Sequence, residues 1–156
     1  MNEKRLTPHQ AIPKIKNYCA YQERCHAEVR DKLYAFGLQK NEVESLLSIL
    51  IEENYLNEQR FAILFACGRF RLKQWGRVKI KYALKAKQVS DYCIRKALEE
   101  IDDEVYIQTM TNLLNTKWEL LKKEKNKFIK RKKLQDYLIQ RGFESDLFKT
   151  EIDKLQ

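Results

Sequence analysis

Four cysteines and two histidines are the residues of this chain best suited to hold a metal or act as nucleophiles, and their spacing favours neither use. Cys19, Cys25, Cys67 and Cys93 lie 6, 42 and 26 residues apart, which matches neither a zinc knuckle nor a redox pair. Cys25 and His26 are adjacent and, with Cys19, form only part of a ligand set. Neighbouring helical residues point about 100° apart, no fourth ligand is in sight, and free cysteine is among the most commonly buried residue types. His9 sits near the N-terminus and His26 has no evident partner. No glycine-rich phosphate loop, nucleophile motif or paired-carboxylate site is present. The expectation is a binding protein and not an enzyme, with no metal and no cofactor.

Charge supplies the alternative chemistry. Between Gln59 and Ser90 stand nine bases, Arg60, Arg69, Arg71, Lys73, Arg77, Lys79, Lys81, Lys85 and Lys87, and no acid. From Lys117 to Arg141 ten bases meet three acids, so these two segments carry +9 and +7 of a chain whose total is +9. A face optimised only for solubility would mix signs, gaining i,i+4 pairs and avoiding repulsion between like charges. A block of one sign is instead what a polyanion or an acidic protein surface would meet. Arg77, Lys81 and Lys85 fall at i, i+4 and i+8 and are expected to line one outer helix face, off the inward set Ile80, Ala83 and Leu84. Trp75, Tyr82 and Tyr92 lie in or near the block and could stack on bases, although a Trp at a helix junction such as Trp75 is more often core.

The elements that position these charges follow from an internal repeat. Leu33, Gly37, Leu38, Val43 and Leu47 recur as Leu84, Gln88, Val89, Ile94 and Leu98 at an offset of 51, then as Leu138, Gly142, Phe143, Phe148 and Ile152 at a further 54. A period near 50 fits a multi-helix unit repeated three times, each stacking on its neighbour to complete a core. Leu33, Leu84 and Leu138 are then equivalent inward positions. Four Gly and two Pro in 156 residues leave little material for hairpins, so the fold class is all-α.

Nine helices are expected: Pro8 to Tyr21 with Thr7 as cap, kinked at Pro13 or beginning near Ile12; a second ending at Gly37; Glu42 to Glu53; Asn57 to Lys73; Gly76 to Ala86; Ser90 to Glu100; Asp102 to about Lys123; Lys127 to Arg141; and Glu144 to Leu155. In triplets they give repeats at 1–54, 55–101 and 102–156, the middle one basic, as an elongated, curved, monomeric array. A helix–turn–helix reading for sequence-specific DNA recognition is disfavoured. The second helices of the outer units are acidic and would be repelled from a groove. The longest uncharged apolar run, Ala62 to Cys67, is far below a membrane span, and no apolar run follows the N-terminal charges, so a cytoplasmic location is expected.

The middle unit reads Leu56, Asn57, Glu58, Gln59, Arg60, Phe61, Ala62, then Arg69, then Trp75, Gly76, Ile80, Leu84, Lys87, Val89, Ser90, Ile94, Ala97 and Leu98. This pattern resembles the RecX regulatory proteins, whose stretch there has a leucine-acidic turn before Arg-Phe-Ala, a later Arg, an aromatic-Gly, an Ile with Leu four on, and Lys-Gly-Ile-Ser before the last helix. Asn57 replaces the usual acid and remains a good N-cap. Gln88 replaces the usual glycine, where a left-handed cap costs a non-glycine residue roughly 1 kcal/mol and the turn could close differently.

The resemblance implies a non-enzymatic regulator that binds the RecA recombinase filament on single-stranded DNA and limits its growth, ATP hydrolysis and strand exchange. The charge pattern places the expected partner or DNA contacts at Arg60, Arg69, Arg71, Lys73, Arg77, Lys81, Lys85, Lys127, Lys130 and Arg131. The alternative from composition alone is a nonspecific single-stranded nucleic-acid-binding module that needs no recombinase.

Overall fold

The computed structural model describes residues 5–155, and among them the chain forms nine α-helices and no strand. They are α1 (Pro8–Tyr21), α2 (His26–Ala35), α3 (Lys40–Glu52), α4 (Glu58–Lys73), α5 (Arg77–Ala86), α6 (Asp91–Glu99), α7 (Asp103–Leu120), α8 (Lys127–Arg141) and α9 (Ser145–Asp153).

Local chemistry sets the boundaries. Thr7 and Gln10 form a capping box at the start of α1, so the helix begins at Pro8 and runs through Pro13. Asn57, Ser90, Asp102 and Asn126 each accept an amide of the following first turn, from Arg60, Cys93, Val105, and both Phe128 and Ile129 respectively. At α3 the Glu42 carboxylate accepts the Gln39 amide at 2.9 Å, so this helix starts at Lys40, two residues before the expected Glu42. Helix α7 ends at Leu120, short of Lys123, because the Leu121 amide turns back onto the Lys117 and Trp118 carbonyls and Asn126 must be extended to cap α8.

The repeat register is visible in the core. Leu33, Leu84 and Leu138 are all fully buried, as are Val43, Ile94 and Phe148 one helix later. Burying each such side chain contributes on the order of 2 kcal/mol. The turns after them share one closure. Gly37, Gln88 and Gly142 take φ of 89°, 63° and 92°. Their amides donate to Tyr34, Lys85 and Ile139, and the next residue's amide reaches back to Leu33, Leu84 and Leu138. The middle turn therefore closes as the outer two do, and the expectation that Gln88 would close it differently is corrected. Gln88 holds a left-handed conformation because the two hydrogen bonds and the burial of Val89 outweigh a strain of about 1 kcal/mol.

The chain packs as two compact units. Among the described residues the first comprises 5–64 with 84–96 and the second 65–83 with 97–155, so α4, α5 and α6 each contribute to both. In the first, α1, α2 and α3 pack on one another around Ala11, Ile15, Cys19, Val29, Leu33, Val43, Leu47 and Leu50. In the second, α7, α8 and α9 do the same, burying Tyr106, Met110, Leu114, Leu134, Leu138, Phe148 and Ile152.

Candidate nucleic-acid interface

The ten bases expected at a binding surface divide according to their partners: three of the five arginines are paired with carboxylates, and the other arginines and the lysines are not or only weakly so. Arg60, in the first turn of α4, donates to Glu23 at 2.5 Å and to both the side chain and the carbonyl of Asn54 at 3.2 Å. Arg131 is paired with Asp153. Arg77 donates to Glu144 at 3.0 Å and to Asp103 at 2.6 Å, and its guanidinium lies 3.8 Å from the centroid of the Tyr106 ring. These three are fork-shaped donors matched to carboxylates, a use for which arginine suits better than lysine.

Arg77 corrects the expected stripe on α5. Its side chain is only 24% exposed, whereas Lys81 and Lys85 are exposed. The reason lies at the start of α5, inside the second unit. The Gly76 amide donates to the Arg141 carbonyl at 2.7 Å and the Val78 amide to Gly142 at 2.9 Å. The Arg77 amide donates to the Tyr106 hydroxyl at 3.0 Å. The free N–H groups of one helix are thus satisfied by the free carbonyls at the C-terminus of another and by a buried phenol. Tyr106 Oη in turn donates to Glu144. Burial, then that hydrogen bond, pushes the Tyr106 hydroxyl well above its ordinary pKa. Backbone approaches so closely here that a Cβ on Gly76 would overlap the Gly142 carbonyl, and one on Gly142 would overlap Lys79. Gly76, the glycine of the aromatic-Gly pair in the sequence pattern, is the residue that permits this approach.

The remaining bases are free of carboxylates or nearly so. Arg71, Lys73, Lys81 and Lys127 are exposed and form no ion pair with a described residue, and Lys85 reaches Asp91 only at 4.0 Å. Lys130 lies 3.6 Å from the centroid of the Trp118 ring.

The second unit gathers cations around two rings. Trp75 is half-buried, with Lys79 at 4.6 Å, Arg69 at 5.6 Å and Lys73 at 5.9 Å from its ring centroid. Arg69 also lies over Phe65 at 4.6 Å, and its buried Nε has no hydrogen-bond partner. Arg141 donates to the Lys73 carbonyl at 3.0 Å and lies 5.4 Å from the Tyr137 ring, which Lys117 approaches at 5.1 Å from the other partner helix. Trp75 and Tyr137 thus sit in one basic neighbourhood, linked through Arg141 and Lys73. Basic side chains interleaved with aromatic faces are the combination that takes up phosphate and base together. Trp75 is neither pure core nor a free stacking platform, while Tyr82 and Tyr92 are exposed.

Sequence reasoning left Lys79, Lys117 and Arg141 off the expected surface. All three lay inside the two basic segments, and the missing signal was their nearness to Trp75 and Tyr137. Among the described residues no cluster of three or more His, Cys, Asp or Glu could hold a metal ion, and no helix is long and apolar enough to cross a membrane.

Successive short helices closed by repeated left-handed turns, with cations gathered about aromatic rings, define an all-α protein of three-helix domains. Residues 57–98 match the family model described as the second three-helix domain of RecX, and residues 104–150 the third. A "Regulatory protein RecX" from Prosthecochloris aestuarii is 31% identical over 145 residues, covering 93% of both chains. One from Thermotoga sp. strain RQ2 is 33% identical over 135 residues, 86% of this chain and 78% of the relative. Relatives of the same name from Clostridium perfringens strain 13 and Lactobacillus johnsonii are 35% and 32% identical, and the chain spans only 56% and 53% of their length. The crystal structure of RecX from Lactobacillus salivarius superposes with a TM-score of 0.86 over 95% of this chain and 96% of that one, at 22% identity, which establishes the shared fold. The chain belongs to the RecX family of regulatory proteins.

Proposed function

We propose that this protein associates with the RecA filament on single-stranded DNA and limits its recombinase and ATPase activities, acting as a monomer in the cytoplasm in homologous recombination, DNA repair and the SOS response. The observation that carries the reading is membership of a regulatory family together with a basic, aromatic surface left without carboxylate partners. In this reading Arg69, Arg71, Lys73, Lys79, Lys81, Lys117 and Arg141 meet DNA phosphates or an acidic face of the filament, with Lys85, Lys127 and Lys130 as further contacts. Arg60 and Arg77 are committed to contacts within the fold, and Arg131 to a surface pair with Asp153. The chain is organised as three tandem units at 1–54, 55–101 and 102–156.

Binding to a RecA filament, compared with bare single-stranded DNA across a salt series, tests it. Preference for the filament, with suppressed ATP hydrolysis and strand exchange, is expected. Equal binding to both, with no effect on either activity, would favour the nonspecific single-strand module, a reading that the cations around Trp75 and Tyr137 also suit.

A further inference from the structure

Helix α1 carries two faces. Ala11, Ile15 and Cys19 are its core face. Lys14, Asn17 and Tyr21, at i, i+3 and i+7, form a second, exposed stripe, with half-buried Tyr18 between them packed against the core. With Arg24, Lys32 and Phe36 these four line an open concavity of about 530 Å³, wholly within the first unit and outside both basic segments. Its lining holds three cations, three aromatic rings, one amide and no carboxylate.

Two of the three cations lie over rings. The Arg24 guanidinium lies 3.8 Å from the Tyr18 centroid, held by its Nε donating to the Tyr18 carbonyl at 3.1 Å. Lys32 Nζ lies 5.4 Å from the Tyr18 ring and 5.6 Å from the Phe36 ring. Glu28 approaches Arg24 Nη1 only at 3.9 Å from outside the lining, and neither Lys14 nor Lys32 forms an ion pair with a described residue. Tyr21 is 83% exposed at the last residue of α1. Its ring therefore stands open at the rim of the concavity, beside Lys14 and Arg24 of the same lining.

We propose that this concavity is a second binding site, taking one or two nucleotides of a single strand, with a base stacked on Tyr21 and the phosphates on Lys14 and Lys32. Charge complementarity fixes the sign of the occupant. The rings select a nucleic-acid strand over an acidic peptide, because every base presents a flat π-face whereas carboxylates do not stack. The size suits it, since pockets for small organic groups run from about 300 to 1,000 Å³. The inference does not rest on a recombinase, and its probe is a bare oligonucleotide.

The test is binding of fluorescein-labelled oligo-dT by anisotropy to the full chain in a background carrying Lys73→Gln, Lys79→Gln and Lys117→Gln, which silences the surface around Trp75 and Tyr137. In that background the chain with Lys14, Tyr21 and Lys32 intact is compared with Tyr21→Ala, Tyr21→Phe and the double variant Lys14→Gln/Lys32→Gln, with circular dichroism to verify that each is folded. Tyr21→Ala should weaken binding roughly 5- to 150-fold, the loss of one stacked base, with the salt slope unchanged. Tyr21→Phe keeps the ring and should bind as the unaltered background does. The double lysine variant should lower the slope of log K against log salt by about 1.4, the value for two single-strand phosphate contacts. Unchanged oligo-dT affinity in both Tyr21→Ala and the double variant would overturn the proposal. So would loss of binding to poly-glutamate with oligo-dT binding intact, which would assign the groove to an acidic peptide.

Discussion

At the scale of single residues, the same type of side chain does opposite work according to what faces it. Arg77 and Lys81 are one helical turn apart, yet Arg77 is committed to Glu144, Asp103 and the Tyr106 ring while Lys81 projects into solvent. Arg77→Glu would place a third carboxylate against two others and should destabilise the fold by about 3 kcal/mol, near the cost of breaking a partly buried ion pair. Lys81→Glu should change stability by less than about 0.5 kcal/mol. Urea denaturation of the two variants measures the difference, and equal stabilities would show that the Arg77 contacts contribute nothing. Cys25 gives a second case. Its thiol is buried, touches Glu28 Oε1 at 3.1 Å, and is pushed by burial from 9.0 up to about 11. The folded chain therefore holds this proton more tightly than the unfolded chain does, so the contribution is complete below pH 9 and is lost as pH rises through about 11. The stability advantage of the wild type over Cys25→Ser should shrink between pH 9 and pH 11 in denaturation midpoints; a constant difference would mean that the thiol does not titrate in that window. The Arg77 role could not be read from the sequence, because Glu144 lies 67 residues from Arg77 and nothing local marks it as the partner; the partner of Cys25, three residues on, is local.

At the scale of elements, much was legible and one junction was not. The repeated Leu33, Leu84 and Leu138 placed every helix to within a few residues, since burial repeats with the unit and a one-residue error would turn charged neighbours inward. The junction of α5 with α8 was invisible, because amides and carbonyls are the same in every residue and only Gly76 and Gly142 hint at a close approach. The junction also explains which turns can dispense with glycine. At Gly142 the left-handed φ and the proximity of Lys79 act together, and at Gly37 Arg5 crowds the site in the same way. Gln88 is exposed and meets only the conformational cost. Gln88→Gly should accordingly raise stability by about 0.5–1 kcal/mol, a gain partly offset by the greater freedom of glycine in the unfolded chain. Gly142→Ala should lower stability by about 3 kcal/mol, adding overlap with Lys79 to the strain. Thermal melts of the pair decide the matter, and similar small effects at both positions would mean that the α5–α8 contact can move aside without cost.

At the scale of the whole molecule, what remains is a large positive charge unevenly spent. Part of it is paired with carboxylates at Arg60, Arg77 and, at the surface, Arg131, so a count of bases along the sequence locates the basic segments without telling which bases are already paired. The lysines around Trp75 and Tyr137 are the unspent part, and their long-range field attracts a polyanion before any contact forms. Changing Lys73, Lys79 and Lys117 together to glutamine leaves every named carboxylate pair intact, since none of the three forms an ion pair with a described residue. The fold should therefore survive. Binding to single-stranded DNA should weaken, and the slope of log K against log salt should fall by about 0.7 for each phosphate contact removed. Suppression of RecA-driven strand exchange should weaken in parallel. Changing Lys40 and Lys149, exposed bases on the acidic helices α3 and α9, serves as the control and should alter neither quantity appreciably. A triple variant that binds DNA with the wild-type salt slope, and suppresses strand exchange as fully, would remove this surface from the mechanism and turn attention to the acidic face of α3 as the contact with a basic region of the recombinase.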